Sequence, residues 1–149
     1  MVEKTPTVDF EALKYLNGKA EIDGDRIGIA GCSYGGLASL WTATKWMTES
    51  YGAGLKFAAH APIYPVCWPH TQWAKAELAP NFRPMPYPEN FMAEWTGATH
   101  GWNQQSMSFH ESIACKGRGC QNNNVNNPDV SAKNTEDVVR FFLDTIGSR

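Results

Sequence analysis

Apolar and polar positions divide this chain into segments of contrasting period. Val8, Ala12, Tyr15 and Leu16 recur at helical spacing behind Thr5-Pro6, which reads as an N-cap with proline at the first helical position. Asn17-Gly18 stops that helix, and Glu21 to Asp25 forms a polar turn. Arg26 to Ala30 is a short apolar strand that runs into a glycine-rich turn. Beyond it, Leu37, Leu40, Trp41 and Met47, with Thr44 completing the stripe, predict a helix over 37–47. Gly52 and Gly54 break the chain before a second strand, Leu55 to Tyr64. Its near-continuous apolar run suits a strand buried on both faces.

The pattern then dissolves. Six prolines (65, 69, 80, 84, 86 and 88) surround one short helix-like piece, Thr71 to Leu78. A third strand is predicted at Phe91 to Trp95. Gln104 to Asp129 reads as a long loop, with the asparagine-rich tract Gln121 to Asn127 as its least ordered part. The final element is a helix with Asn134 as N-cap, a buried stripe of Val139, Phe142, Leu143 and Ile146, and Gly147 at its end. No internal repeat is visible. Strand, helix, strand, strand, helix in this order predicts an α/β fold.

The turn between the first strand and its helix carries the chemistry. Gly31-Cys-Ser33-Tyr-Gly35-Gly36 places a serine where a strand gives way abruptly to a helix, the setting of a nucleophile elbow. Such a turn is crowded and strained, so small residues must flank the serine. A serine there stands at the carboxyl end of a strand and the amino end of a helix, where backbone N–H groups favour developing negative charge. A phosphate-binding loop is the competing reading of a glycine-rich turn. The spacing does not fit Gly-x-Gly-x-x-Gly, and no Gly-Lys-Ser/Thr follows.

Length and composition narrow the rest. At 149 residues the chain is read as a single domain, 1–149. A net charge of −2 gives no case for nucleic acid or an anionic membrane as partner. No run of apolar residues is long enough to span a bilayer, and the opening residues lack the apolar core of a secretory signal, so cytoplasmic is the default location. Cys32 and Cys67 read as small buried hydrophobes, whereas Cys115 and Cys120 bracket a flexible loop that a disulfide could close in an oxidising compartment. Cys67, His70, His110, Cys115 and Cys120 match no standard zinc spacing, so neither metal nor other cofactor is expected.

Three segments together resemble the dienelactone hydrolase family of α/β-hydrolases: Asp23 to Gly36, Phe57 to Trp68, and Ala98-Thr-His-Gly-Trp102. The likeness covers roughly Val8 to Trp102 and the last helix. It implies an α/β fold with a partial α/β-hydrolase-type parallel sheet flanked by helices. It also implies a small carboxylic ester or lactone as substrate. Ser33 falls at the position of the nucleophile, His100 at that of the catalytic base, and the N–H of Tyr34 at that of one oxyanion donor. Two departures stand out: the family's strands ahead of the elbow have no counterpart here, and the strand expected to carry the acid between Pro65 and Phe91 looks deleted. The chain therefore reads as an incomplete hydrolase domain, prone to associate with itself along an unpaired strand edge.

An intact site of this kind would work by acyl transfer to Ser33, with His100 moving the proton and a third group orienting His100. Between them the only acids are Glu49, Glu77, Glu89 and Glu94, and nothing in the pattern selects one. His60, in an apolar strand, reads as a hydrogen-bonded core residue, and His70 and His110 as solvated loop residues. The alternatives to a serine hydrolase are a non-catalytic fragment or pseudoenzyme that keeps the elbow, and, from another class, a small metal-binding module.

Overall fold

The computed structural model describes residues 5–65, 101–104, 108–111 and 121–147. In chain order they form α1 (Thr5–Asn17), a 3-10 turn (Gly24–Arg26), β1 (Gly28–Cys32), α2 (Tyr34–Thr42), α3 (Lys45–Tyr51), β2 (Ala59–Ile63), β3 (Ser108–Glu111), β4 (Gln121–Asn124) and α4 (Pro128–Ile146). The predicted helix at 71–78 and third strand at 91–95 lie outside the described residues.

β1 and β2 run parallel in the register Gly28–Ala59 through Cys32–Ile63. Parallel strands need a crossover, and α2 with α3 supplies it. Alternation then sorts the side chains into two layers. On one face Ile29 joins Phe10, Leu13, Leu37, Trp41, Met47 and Phe57 beneath α1, α2 and α3. On the other, Cys32, Ala61 and Ile63 join Tyr64, Trp102 and α4. The α4 contact is close: a Cβ on Gly28 would run into the ring of Phe142. A parallel sheet covered by helices on both faces is the α/β fold that the pattern predicts, in the partial α/β-hydrolase form that the resemblance implies.

The helices differ from expectation in their faces and limits. α1 buries Phe10 and Leu13, with Leu16 partly covered, while Val8 and Tyr15 are exposed. Tyr15 lies under the Lys19 ammonium, 4.1 Å from its ring centroid, rather than in the core. The helix predicted over 37–47 is two helices. Thr42 and Thr44 turn their hydroxyls back onto the Ser39 and Trp41 carbonyls, and Thr44 accepts from Met47 N as the N-cap of α3.

α4 begins earlier than Asn134. Asn127 caps it, its Oδ1 accepting from Val130 N at 3.2 Å, with Pro128 in the first turn. Its covered side carries Val130 and Asn134 with Val138, Phe141 and Phe142, whereas Val139 and Leu143 of the predicted stripe are exposed. The tract read as a long loop holds β3 and β4, paired antiparallel from Ser108–Asn124 to Glu111–Gln121. His110 is therefore in a strand, not a loop.

Candidate active site

The site is built where β1 and β2 end. Ser33, the residue after β1, has φ 53° and ψ −111°, a backbone conformation that L-residues rarely adopt. Two bonds hold it there: Ser33 N donates to the Ile63 carbonyl at 3.0 Å, and the Ser33 carbonyl accepts from Leu37 N at 3.0 Å to start α2. Crowding around it explains the glycines. A Cβ on Gly31 would stand 2.9 Å from Gly35 Cα, closer still to its carbonyl, and one on Gly36 would stand 2.6 Å from Ile63 O. Gly35 differs: among the described residues nothing lies within 4 Å of a Cβ built there.

Serine at a helix start normally caps it through Oγ. Ser33 does not, because its unusual backbone angles take the side chain out of capping geometry. Its hydroxyl is thus kept out of the role that α2 would otherwise give it. Ser39 on the same helix is wholly buried and its Oγ donates to the Ile29 carbonyl at 3.3 Å, a structural role. Tyr34 opens the first turn of α2, where backbone N–H groups point out along the helix axis toward its positive end.

Three side chains gather beside Ser33. Tyr64, directly after β2 and with a positive φ of 32°, donates its hydroxyl to Asn103 Oδ1. Asn103 Nδ2 donates in turn to Cys32 Sγ at 3.6 Å. Tyr64 and Trp102 pack edge to face with centroids 4.4 Å apart, both fully buried. Burial first, then the neighbouring Cys32 thiol, pushes the Tyr64 phenol well above its usual range, against a smaller opposing effect of Asn103. The phenol is a neutral donor. Cys32 is a half-buried free thiol that accepts a hydrogen bond, rather than the buried hydrophobe its sequence setting suggests.

His60 lies elsewhere, on the α2 face of the sheet opposite Ile29 and edge-on to Phe57 at 5.9 Å. It is a buried core histidine, as expected, with the Thr42 backbone as its polar neighbour among the described residues. Desolvation pulls its pKa to about 4, weakly opposed by the Thr42 backbone. Glu49 is exposed on α3. His100, Glu77, Glu89, Glu94, Cys67, His70, Cys115 and Cys120 lie outside the described residues. Among the described residues no three metal-ligating side chains come together.

The glycines point to Ser33 and the resemblance to the Tyr34 N–H, whereas the contact of Tyr64 with Asn103 has no signal in the sequence: Tyr64 closes an apolar strand and Asn103 carries no motif. Comparison with curated proteins and with solved structures finds no match. A protein-family model does match, over residues 7–110, more than half of the chain and inclusive of the elbow. With its strained serine between a parallel strand and a helix, the chain belongs to the prolyl oligopeptidase family, which has the α/β-hydrolase fold.

Proposed function

We propose that this protein is a serine hydrolase that cleaves a small carboxylic ester or lactone through an acyl-enzyme on Ser33. The observation that carries the reading is the conformation of Ser33: strained at φ 53° and ψ −111°, pinned to Ile63, and withheld from helix capping. Strain of this kind costs of order 1–3 kcal/mol and persists only where the surroundings enforce it. The dienelactone hydrolase likeness supports the choice of ester or lactone. The family match adds a second class of acyl donor, a prolyl peptide.

In the mechanism, Ser33 Oγ attacks the substrate carbonyl while His100 takes its proton, and the carbonyl π-electrons move to oxygen. The Tyr34 N–H and the amino end of α2 stabilise the oxyanion. Collapse of the tetrahedral species breaks the bond to the leaving alkoxide, which His100 protonates. Water, deprotonated by His100, then attacks the acyl-enzyme and returns Ser33 to its resting form. The group that orients His100 is unassigned.

A fluorophosphonate probe tests the reading. Labelling should occur on Ser33 and disappear in Ser33→Ala, together with turnover of an activated aryl ester, a lactone or a prolyl anilide. Whichever of the three is cleaved identifies the acyl donor. Labelling that survives Ser33→Ala removes the assignment. A folded wild-type chain that neither labels nor turns over any of the three is the pseudoenzyme.

A further inference from the structure

Both strands of the β1–β2 pair leave it in the same way. Cys32 and Ile63 are the last pair of the register, and the residue after each has a positive φ, 53° at Ser33 and 32° at Tyr64. Neither is glycine, so this backbone region is unfavourable for both and the surroundings must hold them there. One backbone bond crosses between the two ends, from Ser33 N to the Ile63 carbonyl at 3.0 Å. Packing against Trp102 holds the Tyr64 ring, but its hydroxyl needs a polar partner.

Asn103 provides that partner from a turn that is itself fastened. Gln104 N donates to the Gly101 carbonyl at 2.9 Å and closes the turn, and Asn127 N donates to the Trp102 carbonyl at 2.9 Å and ties it to the cap of α4. Asn103 is exposed, so packing does not dictate where its side chain lies. Its amide nevertheless accepts from the Tyr64 hydroxyl and donates to Cys32 Sγ at 3.6 Å. An amide can do both at once, whereas an ionised carboxylate has no donor for the sulfur. One end of the bridge is therefore on the residue before Ser33, and the other on the residue after Ile63, whose carbonyl holds Ser33 N. We infer that Asn103 is a positioning residue for the nucleophile: by joining Tyr64 to Cys32 across the last pair of the sheet, it holds Ser33 in its strained conformation. The inference rests on the proposed role of Ser33.

The experiment compares wild type with Asn103→Ala, Tyr64→Phe and the double variant, each checked by circular dichroism to be folded at the assay temperature. Amide hydrogen exchange reads the hold on Ser33 directly. The Ala58 amide, bonded to the Ile27 carbonyl at the opposite end of the strand pair, is the internal reference. The second-order rate of fluorophosphonate labelling at Ser33 reads the consequence, with kcat and KM on the best ester. In each single variant, Ser33 N–H protection and the labelling rate should both fall about tenfold, the scale of one well-placed hydrogen bond. Ala58 protection and KM should stay at their wild-type values. Because both changes break one bridge, the double should be no slower than the slower single. Wild-type Ser33 protection in folded Asn103→Ala would overturn the positioning role, as would equal losses at Ser33 and Ala58. So would lost protection with wild-type labelling, or two singles whose effects multiply. A wild-type protein whose Ser33 does not label removes the nucleophile instead, and the exchange measurement still decides whether Asn103 holds Ser33.

Discussion

A Cβ placed on Gly36 would lie 2.6 Å from the carbonyl oxygen of Ile63. α2 rests on the end of β2 with no room for a side chain between, and that same carbonyl accepts from Ser33 N. One oxygen thus fixes both the height of the helix and the position of the serine before it.

This asymmetry among the glycines is measurable. Gly36→Ala should destabilise the fold by about 2–3 kcal/mol, since the three nearest atoms it meets are all backbone and cannot rotate away. Gly35→Ala meets nothing within 4 Å and gains helix propensity, so its stability should stay within about 1 kcal/mol of wild type. Urea denaturation of the two variants checks the contrast. Equal losses would mean that the motif, rather than the packing, governs both positions.

Ser33, the proposed nucleophile, holds a backbone conformation that L-residues rarely adopt. Glycine occupies φ 53° without penalty, so Ser33→Gly should raise stability by about 1 kcal/mol or more while ending fluorophosphonate labelling. Ser33→Ala, which keeps a Cβ, should lose labelling without that gain. A Ser33→Gly variant less stable than wild type would show that the hydroxyl, not the backbone, stabilises the elbow.

His60 makes stability depend on pH in a direction that can be worked out. Its folded pKa, about 4, lies below the ordinary 6.5, so the folded state binds this proton less readily than the unfolded one. The contribution is full above pH 6.5 and is lost as pH falls through about 4, at most about 3 kcal/mol for this wholly buried ring. Asp9 has the opposite sign: burial raises its carboxyl above 3.8, so its contribution is full below that value and shrinks as pH rises. His60→Leu separates the two. Melting temperatures of wild type should fall between pH 7 and pH 4 more steeply than those of the variant, and parallel curves would exclude His60 as the source.

What could be read from the residues, and what could not, follows from the kind of signal each element carries. The elbow was legible because its constraint is local: a strand, a helix and a serine between Gly31 and Gly35 all fall within residues 28–42 and leave few conformations. The face of α1 was not, because Val8, Tyr15 and Leu16 and the true set of Phe10, Leu13 and Leu16 both have helical spacing; contact with Trp41 and Phe57 chooses between them. The break after Thr42 was hidden in residues that also suit an apolar stripe. β4 has no period-two signal at all, since Gln-Asn-Asn-Asn contains no apolar residue to alternate with a polar one. The Tyr64–Asn103–Cys32 bridge joins residues far apart in sequence, and only folding brings them together.

The start of α4 offers the last test, because two asparagines compete for it. The Asn127 side chain accepts from Val130 N, while its backbone N donates to the Trp102 carbonyl, so the residue joins the helix end to the turn beside the elbow. Asn127→Ala should cost about 1 kcal/mol, the usual worth of an N-cap, and should loosen the 101–104 turn only through fraying of the cap that holds the Asn127 backbone N in place. Asn134, seven residues on, is buried, and its Oδ1 has no partner among the described residues. An orphaned buried oxygen is a liability, so Asn134→Leu should be neutral or stabilising despite the loss of a polar group. Chemical denaturation gives both stabilities, and the protection of the Trp102–Gln104 amides from hydrogen exchange reports the turn. Loss of that protection in Asn127→Ala but not in Asn134→Leu is the expected pair of results; the reverse pattern would move the functional cap to Asn134.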